Sequence, residues 1–477
     1  MVLTRQRKGT TSWHLQPERI LTRHFEQRGT FIKKLVLERA KKAGFDAGNG
    51  PDAATHVLAS DCSGLGSDCM AMKRLGLTCS HLFASDVSVK SRRFINANFS
   101  PKHLVANALK RLDCGSMTGY SCGFPCQPFS RLNGRRKAWA DKRTRLFDVA
   151  LKTISTKEPA WAVLENVKGL AKYYPQVRAK IRAQGLTKKY VTLVVPMCPR
   201  DLLKEHARRP RLYFLMVRRD VAVKADLVHF VRLALSDICK SMPKPLALES
   251  YWLSKTGPSV SKTRHQKAVK KNEGFQPKWV KRHAKLKKNI RSDHIMKAKL
   301  LAAPSADLGL TPRESGALQI EWARRGCPNT FVADVSQNAG RVPWGISGEV
   351  PTLSCSGKIV SFDSSTPNTL KLVSAAEKLQ LQGVDLSRVT IPKGMTELDM
   401  AKLAGNAMHV DIMALAMMLA MTMVNWNKYK LGSRMRTDKT DKHVPLKVFT
   451  WSSKKGLVLQ HQKKHAKKVM KKKATKK

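Results

Sequence analysis

The sequence predicts an α/β fold: a doubly wound, mostly parallel sheet with helices on both faces and a smaller inserted region. Three observations carry this. Short apolar runs alternate with helix-length amphipathic stretches from about residue 55 to 220. A tight glycine turn, Gly64-Leu65-Gly66, follows the first of these runs. Residues 222–340 then break the rhythm with a Lys- and Arg-rich composition, and ordered composition returns from 341.

Taken in order, residues 1–54 are basic and hold one helical-looking piece, FIKKLVLERAKKAGF, read as an N-terminal arm or lead-in helix. The runs THVLAS, HLFASD, MTGYSC, WAVLEN, YVTLVV and RLYFLMV fill 55–221. Strands covered on both faces read as continuous apolar runs of this kind. Their alternation with helices puts a site at the carboxyl ends of the strands. The insert, 222–340, contains KTRHQKAVKKNEGFQPKWVKRHAKLKKNIR, where Phe275 and Trp279 interleave with cations. That pattern suits nucleic-acid binding; the alternative is a solvated loop, which charge runs often are. Residues 341–426 complete the main domain and finish in DIMALAMMLAMTMVNW. Its apolar run is too short to span a bilayer, so a buried helix is expected and no membrane association. Residues 427–477 read as a basic tail; the last 25 carry eleven lysines and no acid, and disorder is expected there.

The formal net charge is +55 over 477 residues. Self-repulsion on that scale favours a polyanionic partner, so nucleic acid is expected, although charge does not tell DNA from RNA. The N-terminus has no apolar h-region, and no secretory signal is expected. The ten cysteines include no CxxC pair and no zinc-type spacing, which points to reduced thiols and no metal site. Nothing matches GxxxxGK[ST], which argues against an NTPase.

Two groups of residues carry chemistry. Gly64 and Gly66 allow a close backbone approach, and Asp86 ends the next strand, where a Rossmann-like site grips ribose hydroxyls. Cys126, in GFPCQPFS, follows the run MTGYSC, and Glu165-Asn166 ends WAVLEN. A thiol and a carboxyl then converge at one sheet edge. Arg208 and Arg209 precede RLYFLMV and Arg211 opens it, and guanidinium groups there can favour a thiolate. Each residue alone is more often structural: a core thiol, a strand-end ion pair or a surface charge.

The motifs GFPCQPFS, DKRTRLF, LENVKGL, RPRLYFL, PTLS and GNAM, in that order, resemble the cytosine-5 DNA methyltransferase family over about 55–220 and 341–425. The resemblance implies a Rossmann-like domain dependent on S-adenosyl-L-methionine (AdoMet), with a target-recognition region where the insert lies. It implies that Cys126 adds to carbon 6 of cytosine, that Glu165 protonates the ring nitrogen, and that Arg209 and Arg211 hold the base and stabilise charge. It places AdoMet against Gly64, Leu65, Gly66 and Asp86, with Leu146 on the adenine and Asn406 closing the pocket. Pro125, Gln127 and Asn166 support the catalytic loop. The chain departs from the family pattern at three places: Ala207 replaces a Gln, Cys62 an aromatic residue and Gln380 an Arg. For a third cofactor contact, Asn107 and Asp113 are both candidates. The implied function is a DNA cytosine-5 methyltransferase acting on a flipped base. The alternatives are a tRNA methyltransferase or a DNA-binding protein that has lost catalysis. Lysine clusters such as KKHAKKVMKKK suit nuclear import if the source is eukaryotic.

Overall fold

The structure is a computed structural model that describes residues 19–45, 50–111, 113–130, 133–134, 136–253, 277–346, 348–365, 370–435, 442–452 and 456–460. The expectations for the arm before 19, for the basic stretch around Phe275 and for the lysines beyond 460 lie outside the described residues.

All six predicted runs are strands: β1 (His56–Asp61), β2 (Cys79–Ser85), β4 (Gly119–Gly123), β5 (Trp161–Val167), β6 (Tyr190–Met197) and β7 (Arg211–Arg218), joined by a short β3 (His103–Val105). β1 pairs in parallel with β2 and β4, β2 with β3, and β4 with β5. β7 runs antiparallel between β5 and β6. That reversal matters, because it brings the start of β7 to the carboxyl end of β5.

Side chains alternate across the sheet. Tyr213, Leu215 and Val217 join a core with the helices Leu227–Ser241 and Val410–Thr422. Leu212, Phe214 and Met216 face the helices Arg145–Lys157 and Tyr174–Ala183 on the other side. Helices on both faces explain why these strands read as unbroken apolar runs. Every residue of the helix Val410–Thr422 is buried, so its apolarity is that of a central core helix.

Four boundaries differ from the sequence reading. The lead-in helix, Arg19–Lys42, is no free arm: Ile32, Val36 and Ala40 are buried in the main core. The helix Leu227–Ser241 packs on the same core, so the inserted lobe begins well after 222. That lobe is built from helices such as Pro277–Lys287 and Pro312–Arg324 and a small sheet. The sheet's strands are β8 (Thr330–Asp334), β9 (Trp344–Gly345), β10 (Ile359–Asp363) and β11 (Leu370–Leu372), in the order β11-β10-β8-β9. Because β8 pairs with β10, position 340 is no boundary and the lobe runs on to about 372. Finally, β12 (Lys447–Ser452) and β13 (Gly456–Leu459) rise out of the basic tail and extend the main sheet beyond β6. Phe449 and Leu457 supply the buried side chains that the surrounding charge obscured.

Candidate active site

β1 leads into the glycine turn through Cys62, a non-glycine residue at φ +54°. Gly66 sits at φ +70°, and a Cβ there would lie 2.6 Å from the Phe99 ring. Only glycine fits both conditions. Leu65 does not face the turn's open side: its side chain is fully buried in a cluster with Phe94, Leu379 and Leu403. It can offer a ligand only backbone. The Asp86 carboxylate accepts the Gly64 N–H at 3.0 Å and the Ser88 N–H at 2.8 Å. A Cβ on Gly64 would meet nothing within 4 Å, so the turn opens to free space.

Behind the turn, buried Asp61 accepts from the Tyr120 hydroxyl at 2.7 Å and pairs with Arg111. The Arg111 guanidinium lies 4.2 Å over the Phe83 ring. The two third-contact candidates separate. Asn107 follows β3 beside Asp86, whose N–H donates to Val105 O, and it caps the next turn through the Leu109 N–H. Asp113 is exposed and paired with Lys157.

On the other side, β4 and β5 align Gly123 with Glu165. The chain leaves β4 as Phe124-Pro125-Cys126-Gln127 and folds back at once: the Phe129 and Ser130 N–H groups donate to Cys126 O at 3.0 and 2.9 Å. Asn166 fixes this loop, donating its side-chain amide to Phe124 O at 3.0 Å. Gln127 accepts from the Asn133 side chain through its backbone carbonyl, while its own Oε1 is buried without a partner. Glu165 is 7% exposed and meets Arg211 Nε at 2.9 Å. Arg209, also buried, donates to Leu353 O at 3.2 Å and to Gly405 O at 3.3 Å. Burial and the neighbouring Arg211 push its guanidinium down to about 10. Burial pushes the Cys126 thiol up, Arg211 and Arg209 pull it back, and Glu165 adds to the rise. Cys126, Glu165, Arg209 and Arg211 therefore form one electrostatic unit.

Between the two sides lies the helix Glu397–Asn406, whose Leu403 and Ala404 pack around Leu65. Asn406 stands exposed at its end, and Met408 lies against Gly123. Leu146 is half-buried in the first turn of its helix. Of the departures, Ala207 is buried and bridged to Val350, Gln380 is buried with Oε1 unpaired, and Cys62 is turned toward Cys122. Among the described residues no group of three or more His, Cys, Asp or Glu is placed to hold a metal ion.

The sequence reading missed two features. Cys355, directly after PTLS, donates its thiol to Asn406 Oδ1 at 2.7 Å. A buried ionic cluster joins Arg28 to Glu205 at 2.7 Å and to Asp411 at 3.3 Å, with Arg74 also on Asp411. The only signal for the first was a polar-capable residue beside a motif; the second had none, because its members are scattered along the chain.

The arrangement offers a thiol, a carboxyl and two guanidinium groups at one mouth, beside an open glycine turn. Comparisons with known proteins give the family. The C-5 cytosine-specific DNA methylase family matches residues 61–417. Type II methyltransferase M.DsaV of Dactylococcopsis salina is 32% identical over 111 residues, 23% of this chain and 30% of that protein. M.NgoBI of Neisseria gonorrhoeae is 33% identical over 109 residues, 23% and 33% of the two chains. The matched segments thus span a third or less of those two relatives. Type II methyltransferase M.HpaII of Haemophilus parainfluenzae is 24% identical over 318 residues, 62% of this chain and 86% of that protein. Among solved structures, the S. pombe Dnmt2 methyltransferase superposes with a TM-score of 0.48 at 14% identity, covering 76% of this chain and 97% of that one. The family match takes in well over half of the sequence and both sides of the cleft, and the chain belongs to the C-5 cytosine-specific DNA methylase family.

Proposed function

We propose that the protein is a DNA cytosine-5 methyltransferase, using AdoMet to methylate carbon 5 of a cytosine flipped out of its duplex. The observation that carries this reading is the convergence of Cys126, Glu165 and Arg211 at one sheet edge, with the Glu165–Arg211 pair at 2.9 Å. A net charge of +55 supports a phosphate-rich substrate.

The residues beside the glycine turn fit an adenosyl group. Gly64 leaves open space, Asp86 and Asn107 offer polar edges, and Val87 and Leu109 are 74% and 53% exposed, apolar surface without cover. When bound there, AdoMet supplies an electrophilic methyl on a sulfonium. The protein's own groups do the rest. A base inside a duplex cannot present its face to a thiol, so the target must leave the stack. The Cys126 thiolate forms a bond to carbon 6, and the displaced π electrons make carbon 5 a nucleophile. Glu165 delivers a proton to the ring nitrogen, which keeps that electron pair from building up as an anion. Arg211 stabilises the thiolate and holds Glu165 in place, while Arg209, tied through its two terminal nitrogens to Leu353 O and Gly405 O, frames the pocket. Once carbon 5 carries the methyl, loss of its proton to solvent expels Cys126 as the thiolate and restores the double bond, and the ring nitrogen returns its proton to Glu165.

The test is a duplex with 5-fluorocytosine at the target, incubated with labelled AdoMet and the full chain. Fluorine does not leave as a proton does, so the protein should remain attached to DNA. The adduct is expected to vanish in Cys126→Ser. An adduct on matched RNA alone would move the activity to tRNA-like substrates. Tight DNA binding with no adduct on either would mean catalysis has been lost.

A further inference from the structure

The loop Thr352–Gly357 connects β9 to β10, so it belongs to the inserted lobe by topology. The lobe holds it at its base: the Lys358 N–H donates to Asp334 Oδ1 at 3.2 Å, and Ser354 Oγ to Asp334 Oδ2 at 3.4 Å. Its tip lies elsewhere, directly on the end of the helix Glu397–Asn406. A Cβ on Gly405 would sit 2.4 Å from Cys355 N and from Ser354 C, so only glycine permits this backbone contact. Arg209 ties the same two segments, through Leu353 O and Gly405 O. From this tip the Cys355 thiol donates to Asn406 Oδ1 at 2.7 Å. Burial and nearby Cys126 push that thiol up, against the pull of Arg209, so it is a protonated donor at neutral pH.

A primary amide has distinct faces, one that accepts and one that donates. With Oδ1 engaged by a thiol, the Asn406 amide is left with its two N–H donors free. Asn406 is exposed, and its helix packs around the Leu65 side chain, on the buried side of the glycine turn. We infer that Cys355 is a positioning residue for the cofactor: it orients the Asn406 amide toward the cofactor pocket and thereby couples the inserted lobe to cofactor binding. This rests on the proposed methyltransferase reading. The consequence is reciprocal, as linkage requires: DNA held by the lobe tightens cofactor binding, and cofactor tightens DNA binding by the same factor.

The test is calorimetric titration of the full chain with S-adenosylhomocysteine, which cannot react, with and without a cytosine-containing duplex. Cys355→Ala should weaken binding by about three- to tenfold, the worth of one hydrogen bond, and shrink the gain produced by DNA. Cys355→Ser keeps a donor and should restore both. Thermal melting of each variant controls for folding, and the serine variant keeps the comparison valid if the alanine variant melts early. Wild-type affinity and wild-type DNA coupling in Cys355→Ala would overturn the assignment while leaving the methyltransferase reading intact. No binding by the unmodified chain would overturn both.

Discussion

On the side of the cleft proposed to take the base, the candidate groups are side chains packed against one another: Glu165 on Arg211, Arg209 beside them, and Cys126 on a loop held by Asn166. On the side proposed to take the cofactor, the work falls to backbone: a glycine turn, the Gly64 N–H on Asp86, and exposed apolar residues. The base side must move protons and stabilise charge, which restricts residue types tightly. The cofactor side must fit a shape, which many residues can do. Cys62 and the split between Asn107 and Asp113 concern cofactor positions and Gln380 a supporting one; Ala207, two residues before Arg209, is the departure on the base side, where Cys126, Glu165 and Arg211 match the family motifs.

The largest effects should therefore come from the base side. Cys126→Ser is expected to lower methyl transfer by on the order of 10³-fold or more, with DNA affinity in gel-shift titrations unchanged. Glu165→Gln should lower it by roughly 10²- to 10⁴-fold, as loss of a general acid does, and leave S-adenosylhomocysteine binding within about twofold of wild type. Transfer by Glu165→Gln at the wild-type rate would break the comparison at its strongest point. The pH profile follows in sign: with the Cys126 thiol pushed up by burial, adduct formation should rise with pH through the neutral range.

A second test strikes both sides at once. Arg28 is 1% exposed and lies between Glu205, four residues before Arg209, and Asp411, five after Asn406. Arg28→Met takes the guanidinium from buried Glu205 and leaves Asp411 to Arg74 alone, at a cost of about 3–5 kcal/mol in urea unfolding. Acid should act on the same cluster. Burial pushes His409 down to about 4, and it is neutral in the fold. Burial raises Glu205, but Arg28, His24 and His409 outweigh that and hold its carboxyl below the usual range. Both groups bind more protons when unfolded: the His409 contribution is full above about pH 6.5 and is lost toward 4, and the Glu205 contribution is full above about 4.5 and is lost below it. In Arg28→Met the part of that decline due to Glu205 should flatten. A variant as stable as wild type would mean the N-terminal helix is no brace.

The same physics explains what could be read in advance. β5 and β7 are buried along their whole length, so their apolar runs were legible. Direction was not: nothing in RLYFLMV says that it runs antiparallel, yet only that reversal puts Arg211 beside Glu165. β3 is three half-exposed residues and gives no pattern. The lead-in helix looked like an arm because its cations outnumber the buried face of Ile32 and Val36, and the β12–β13 hairpin was masked by the lysines around it. On the site, motifs named Cys126, Glu165, Arg211 and Asn406, which the proposed reading keeps, and they named Leu65 by its place in a motif although its side chain points into the core. Cys355 has no chemistry of its own until the loop is laid across Gly405.

Asp86 gives the smallest change of these three sets and the finest test of the comparison. Its carboxylate receives two backbone N–H groups, from Gly64 at 3.0 Å and Ser88 at 2.8 Å. It is therefore a brace for the turn before it is a grip for any ribose. Removing it in Asp86→Ala leaves both donors to water and lets the turn relax. Hydrogen bonds to a charged group are worth about 1.5–3 kcal/mol, so S-adenosylhomocysteine affinity should fall by roughly ten- to a hundredfold. Asp86→Asn separates the roles: one amide oxygen can still receive Gly64, but the amide nitrogen then faces the Ser88 N–H, and recovery should be partial. At saturating AdoMet, the 5-fluorocytosine adduct should form in Asp86→Ala within about threefold of the wild-type rate, since no base-side residue touches it. If adduct formation fell as far as binding, the turn would be shaping the Cys126 loop as well, through Cys62 against Cys122, and the two sides of the cleft would be one mechanical unit.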